Sequence, residues 1–198
     1  MEGITGYDVH RGVLASVHRR SGPPLAQVLH TARRLLVLEG SNDAENIGVL
    51  ARSARGLGYD ALVLDPTCAD PFSRRAVRVS MGEMLFLPVV RCHHWGDASA
   101  QIHAAGFAIW ALTPDLAAAP LGSLDVPERL AVLVGAEGPG LTAAARAAAT
   151  RQVRIPMHHG VDSLNLGHAA AIAMAFTAPA HSAPASAAVT PAVSEPSP

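Results

Sequence analysis

The sequence predicts an α/β domain, an about six-stranded parallel sheet flanked by helices, on three observations. From Leu35 onward short apolar runs alternate with longer amphipathic ones, the strand, helix, strand rhythm of parallel sheets. Near the end, IPMHHGVDSLNLGHAAAIAM (155–174) turns a strand directly into a small-residue helix through Asp162, Ser163 and Asn165, which marks a ligand crevice as well as a fold. The 198 residues, 49% hydrophobic with a net charge of -1, suit one globular unit with a full core.

The elements follow in order. LLVLEG (35–40) is the first strand and ENIGVLARSARGLG (45–58) the helix after it; ALVLD (61–65) is the second strand, followed by a helical segment from Arg74 to Met84. FLPVV (86–90), a helix near Ala98 to Ala105 and FAIWAL (107–112) continue the pattern, and a Pro-punctuated loop runs to Arg129. LAVLVG (130–135), an Ala-rich helix from Thr142 to about Ala149, the strand QVRIP (152–156) and a helix from Leu164 to Phe176 complete it. Residues 1–33 read as an arm and linker and 34–176 as the folded domain. Residues 177–198, rich in Ala, Pro and Ser, read as a disordered tail with too few large side chains to offset the entropy of ordering.

Cys68 and Cys92 are too few and too ill-spaced for a disulfide framework or a zinc cage. His158, His159 and His168, and the run Cys92-His93-His94, lack the spacing and carboxylate partners of a metal site, so no metal is expected. With no signal-like amino terminus and no apolar stretch of bilayer-spanning length, a cytoplasmic protein without membrane association is expected. All basic residues are Arg, and Arg11, Arg19, Arg20, Arg33 and Arg34 precede the first strand, a phosphate-contacting surface or a solvated face.

Three motifs carry chemistry. Asn46, Gly48 and Arg52 open the first helix, where an N-cap Asn and an exposed Arg are the plain alternative. Gly135-Ala136-Glu137-Gly138-Pro139-Gly140-Leu141 ends a strand where open α/β sheets bind ligands, and its spacing is not that of the GxGxxG dinucleotide fingerprint. Ile155-Pro156-Met157 with Ser163-Leu164-Asn165 forms the third; without a GxSxG elbow, Ser163 suits hydrogen bonding or capping better than nucleophilic attack. The first strand–helix turn, EGSNDAENIG, lacks the glycine fingerprint of a dehydrogenase.

In this order, N-x-G-x-x-x-R, G-x-E-G-x-G-L and I-P-M with S-L-N, the trio resembles the SpoU (TrmH-type) RNA 2'-O-ribose methyltransferases of the SPOUT superfamily, over roughly Arg34 to Phe176. The resemblance implies a carboxyl-terminal deep trefoil knot, S-adenosyl-L-methionine as cofactor, an rRNA or tRNA substrate and a homodimer. It implies cofactor contacts from Gly135, Glu137, Gly138, Gly140, Ile155, Met157 and Leu164. Catalytic roles fall to Arg52, Asn46, Glu137, Ser163 and Asn165, with Arg52 of one chain serving the cofactor of the other, and RNA contacts to Arg19, Arg20, Arg33, Arg34 and Arg52. Two departures stand out: where the family's third motif commonly continues N-V-S-x-A-x-A, this chain has Asn165-Leu166-Gly167-His168-Ala169-Ala170-Ala171, so the Ser hydroxyl is absent at Gly167 and an imidazole appears at His168, and only an arm precedes the domain, its Tyr7–Ala15 stretch resembling the end of a longer relative's RNA-binding domain. A SPOUT-fold RNA-binding or assembly protein with impaired catalysis is the alternative these departures raise.

Overall fold

The computed structural model describes residues 18–19 and 21–179. In chain order these form α1 (Leu25–Thr31), β1 (Arg34–Leu38), α2 (Ala44–Gly56), β2 (Ala61–Leu64), α3 (Arg74–Val79), β3 (Val89–Arg91), α4 (Trp95–Ala104), β4 (Ala108–Leu112), β5 (Ala119–Pro120), β6 (Leu130–Val134), α5 (Ala143–Ala147), β7 (Arg151–Arg154) and α6 (Leu166–Thr177). The seven strands make one parallel sheet in the order β3-β2-β1-β6-β4-β7-β5. One strand more is present than the pattern of apolar runs predicts. The addition, β5, lies in the Pro-punctuated loop and has two residues, one a proline without an N–H, so it carries no periodic signal and sits at the sheet edge.

Every residue of β1 and β6 is buried, as two-sided coverage of a parallel sheet requires. Side-chain alternation sends Leu36 and Leu38 to one face, with Ile47 and Leu50 of α2 and Ala170 and Met174 of α6. Leu35 and Val37 point to the other, with Ile102 of α4, Ala145 of α5, and Val28 and Leu29 of α1. Part of the front segment therefore packs onto the body; residues 1–17 and Arg20, and the tail beyond Pro179, lie outside the described residues.

Helix starts follow local chemistry. Asp43 caps α2 by accepting from Glu45 N at 2.8 Å, Ser73 caps α3 and Thr142 caps α5. The helix expected from Arg74 to Met84 ends at Val79, because Met81 (φ 55) and Gly82 (φ 84) take left-handed conformations before a separate 3-10 turn at Glu83–Leu85. Gly48 lets α2 and α3 touch: a Cβ there would lie 2.6 Å from the Ala76 carbonyl oxygen. The glycine of N-x-G-x-x-x-R is thus a helix-packing requirement.

The last helix is tied down at its far end. Tyr59 OH lies 2.6 Å from Thr177 Oγ1, which donates to the Ala173 carbonyl at 2.7 Å, and Arg34 Nε donates to the Thr177 carbonyl at 2.7 Å. Burial pushes the Tyr59 hydroxyl from 10.0 up to about 12, against the opposing pull of the Thr177 hydrogen bond and the Arg34 charge. A folded pKa above the unfolded one gives stability present in full below about pH 10 and lost as pH rises to about 12. Tyr59→Phe is therefore expected to unfold less steeply across that alkaline window, followed by circular dichroism, while losing about 1 kcal/mol at neutral pH in urea melts.

Candidate active site

Parallel strands deliver their carboxyl ends to one side of the sheet, and the order reverses beside β1, where chains of this kind open a crevice. There the segments after three neighbouring strands enclose a cleft of about 440 Å3: Leu112–Pro114 after β4, Val134–Gly140 after β6, and Ile155–Leu166 after β7 with Ala169 of α6. That volume suits one small-molecule ligand. Leu112, Ile155, Met157, Leu164 and Leu166 supply apolar surface, and Thr113, Glu137, Asp162, Ser163 and Asn165 supply polar groups.

The glycine-rich turn is folded back on itself. Ala136 and Gly140 form an isolated antiparallel bridge, closed by Gly140 N donating to the Ala136 carbonyl at 3.0 Å, with Gly138 (φ 85) and Gly140 (φ 69) in left-handed conformations. Gly135 has no room for a side chain: a Cβ would lie 2.6 Å from Gly140 O and closer still to the Gly140 carbonyl carbon and Leu141 N. Beyond the turn, the buried carboxylate of Glu39 accepts from Thr142 N at 2.8 Å and from Thr142 Oγ1 at 2.7 Å. A bidentate, charge-assisted contact of this kind fastens the turn to the end of the central strand β1.

Opposite, α6 begins in the cleft wall. Asn165 Oδ1 accepts from Gly167 N at 2.9 Å as the N-cap, and Asn165 Nδ2 donates to Glu137 Oε1 at 2.6 Å, so both ends of the amide are engaged. Glu137 Oε1 also lies 3.5 Å from Leu166 N, a carboxylate at the positive end of a helix. One side-chain pair thus stitches the second motif to the third, and Ser163 lies alongside with its hydroxyl unpaired among the described residues.

All seven residues expected to hold the cofactor, Gly135, Glu137, Gly138, Gly140, Ile155, Met157 and Leu164, line this cleft, as do Ser163 and Asn165. Asn46 and Arg52 do not. Asn46 is half-buried on the stripe of α2 that includes Val49, whose Cγ1 would lie 3.1 Å from a Cβ at Gly167 of α6. Arg52 is exposed, in helical phase with Glu45, Gly48 and Arg55, the stripe turned toward α3. Gly167 and His168 also stay out of the cleft lining: Gly167 is buried between Val49 and Asn165, and His168 is exposed.

Of the arginines expected on an RNA surface, Arg34 is found elsewhere: it is 8% exposed, and its guanidinium donates to the carbonyls of Thr177, Arg33 (3.1 Å) and Glu128 (2.6 Å). As the first residue of β1 it sits at the amino end of the strands, opposite the cleft, where burial among carbonyls makes it a fold-stabilising cation. Arg33, at that same end, is exposed and lies 3.6 Å from Glu128. Arg19 pairs with Asp70 at 2.7 Å and stacks over Phe72, and Arg20 lies outside the described residues. Thr113 and Pro114 went unread because nothing in a short loop marks it; their signal is position, at the carboxyl end of FAIWAL. Glu39 went unread too, although a charge ending a wholly apolar strand was visible.

A parallel sheet with a ligand-sized cleft at the carboxyl ends of its strands, built from a glycine turn and a capped helix, defines an α/β protein of the kind that holds a small-molecule cofactor. The chain belongs to the SpoU rRNA Methylase family, whose sequence profile matches residues 33–175. It is 48% identical over 176 residues to an uncharacterized tRNA/rRNA methyltransferase of Mycobacterium tuberculosis (strain H37Rv), covering 87% of this chain and 61% of that protein. It is 30% identical to the 23S rRNA (guanosine(2553)-2'-O)-methyltransferase RlmP of Bacillus subtilis, covering 86% of this chain and 71% of that one. The AdoMet-bound rRNA methyltransferase from Sinorhizobium meliloti superposes with a TM-score of 0.73 at 27% identity, covering 80% of this chain and 60% of that chain. The chain thus spans about three fifths of the length of the mycobacterial relative.

Proposed function

We propose that this protein transfers a methyl group from S-adenosyl-L-methionine to a ribose 2'-oxygen of a structured rRNA or tRNA, as a cytoplasmic homodimer whose carboxyl-terminal segment is threaded as a trefoil knot. The observation that carries the reading is the cleft in which Glu137 and Asn165 join two motifs and every expected cofactor contact is gathered. The residues present fit that cofactor: apolar side chains of Ile155, Met157 and Leu164 suit a flat base, and the tightly turned glycine backbone admits close approach.

The bound cofactor supplies a methyl already electrophilic on its sulfonium. The protein's own work is therefore alignment and charge control. Gly135, Ile155 and Leu164 hold and orient; Glu137 and Asn165 fix the wall beside the acceptor; Ser163 hydrogen-bonds ribose or cofactor. A guanidinium is a poor base. The role of Arg52 is to grip the acceptor's phosphate and favour passage of the 2'-hydroxyl proton to solvent.

Because Arg52 lies outside its own cleft lining, the reading assigns it to the cleft of a second chain. Val49 (39% exposed), Ile172 (43%) and Phe176 (45%) give the α2–α6 side an apolar surface suited to such pairing. The test is mass-spectrometric mapping of ribose methylation in rRNA and tRNA from cells with and without the gene. One 2'-O-methyl site should vanish without it; an unchanged map, with no S-adenosyl-L-methionine binding in calorimetry, overturns the reading.

A further inference from the structure

We propose that the turn following α3, together with the end of α2, is an RNA-docking platform that stacks an unpaired base on Phe86 and holds neighbouring phosphates through Arg78, a surface that rests on the RNA-methylation reading above. Three large apolar side chains stand out of the surface there: Met81 (72% exposed), Leu85 (60%) and Phe86 (66%). Burying none of them is costly unless a partner covers the patch. Phe86 is also fixed in place. The Arg55 guanidinium lies 5.2 Å from its ring centroid, donates to the Phe86 carbonyl at 3.3 Å and pairs with Glu83. A ring braced on one face by a cation and open on the other is a ready stacking surface for a nucleobase.

The charge around it selects the partner. Both acids of the patch are engaged, Glu83 with Arg55 and Glu45 with Arg75 at 2.6 Å, whereas Arg78 and Arg52 have no side-chain partner among the described residues. A groove of about 660 Å3 runs beside Arg75 and Arg78. The patch is therefore apolar at its centre and cationic at its rim, which matches a polyanion with exposed bases. A twofold contact centred on Phe86 would bring two copies of the Arg75 and Arg78 rim together, which disfavours a second chain as the occupant of this patch. Arg52, on the same stripe of α2 as Arg55, links the platform to the acceptor phosphate.

The probe is a fluorescein-labelled oligouridylate strand titrated by anisotropy over a range of KCl, using the whole chain. Phe86→Ala is expected to weaken binding about 5- to 100-fold and Phe86→Trp to retain it. Arg78→Ala is expected to lower the slope of log affinity against log salt by about 0.7 for each phosphate released. In all three variants S-adenosyl-L-methionine affinity should match the parent, since neither position lines the cleft. Unchanged RNA affinity in both alanine variants overturns the platform while leaving the methylation reading standing if the parent still modifies RNA. Conversion of a dimer to monomers by Phe86→Ala, with RNA affinity per chain unaltered, overturns it in favour of a protein contact.

Discussion

Gly135→Ala is expected to raise the S-adenosyl-L-methionine dissociation constant more than about 100-fold in calorimetry, corresponding to roughly 3 kcal/mol of overpacking. The added methyl cannot be met by a side chain swinging aside, because the atoms it strikes are the backbone of Gly140 and Leu141. The turn must open, and with it the bridge between Ala136 and Gly140 and the position of Thr142 on Glu39. Gly56→Ala is the control: a Cβ there meets nothing within 4 Å, and cofactor affinity should be unchanged. If Gly135→Ala bound the cofactor as tightly as the parent, the turn would not be the cofactor's support.

Arg52→Lys is expected to slow single-turnover methylation at saturating RNA about 100-fold or more while cofactor affinity stays at the parent value. A lysine keeps the charge and loses the planar two-pronged donor that matches a phosphate, so the result separates geometry from charge. A rate close to the parent's would end the clamp assignment. Mixing supplies a sharper form. If Arg52 completes the cleft of the partner, refolding Arg52→Ala chains with Gly135→Ala chains should restore activity that neither has alone, since each mixed dimer contains one intact composite site. Absence of any recovery in verified mixed dimers would place Arg52 in service of its own chain.

The middle of the sheet was legible because β1, β2 and β6 are almost wholly apolar, whereas β7 (RQVR) is mostly polar. LLVL, ALVL and LAVLV announce two-sided burial, while the cap of α2 is Asp43 and not the Asn46 that the sequence suggested, and α4 starts at His94 without a side-chain cap. Ala119–Pro120 was not legible, since two residues carry no period and proline argues against a strand. The cleft was legible through motifs whose residues sit close together along the chain, Gly135 to Gly140 and Ile155 to Asn165. What sequence could not convey was direction. Nothing in the pair Arg33-Arg34 indicates that one guanidinium turns outward and the next inward onto three carbonyls, because that choice is made by Thr177 and Glu128, far along the chain. Likewise the spacing of Asn46 and Arg52 fixes them on a helix without disclosing that neither reaches the cleft of their own chain.

The two walls of the cleft are anchored unequally. On one, the Glu39 carboxylate bolts the glycine turn to the central strand; on the other, residues 158–165 are exposed and held among themselves by a single backbone hydrogen bond, from Val161 to the His158 carbonyl. A molecule entering this pocket therefore meets a fixed anvil and a pliant jaw. Adjustment to its shape falls to the stretch from His158 to Leu164, ahead of the pinned Asn165, and the ordering cost of that closure sets how much of the contact energy survives as affinity.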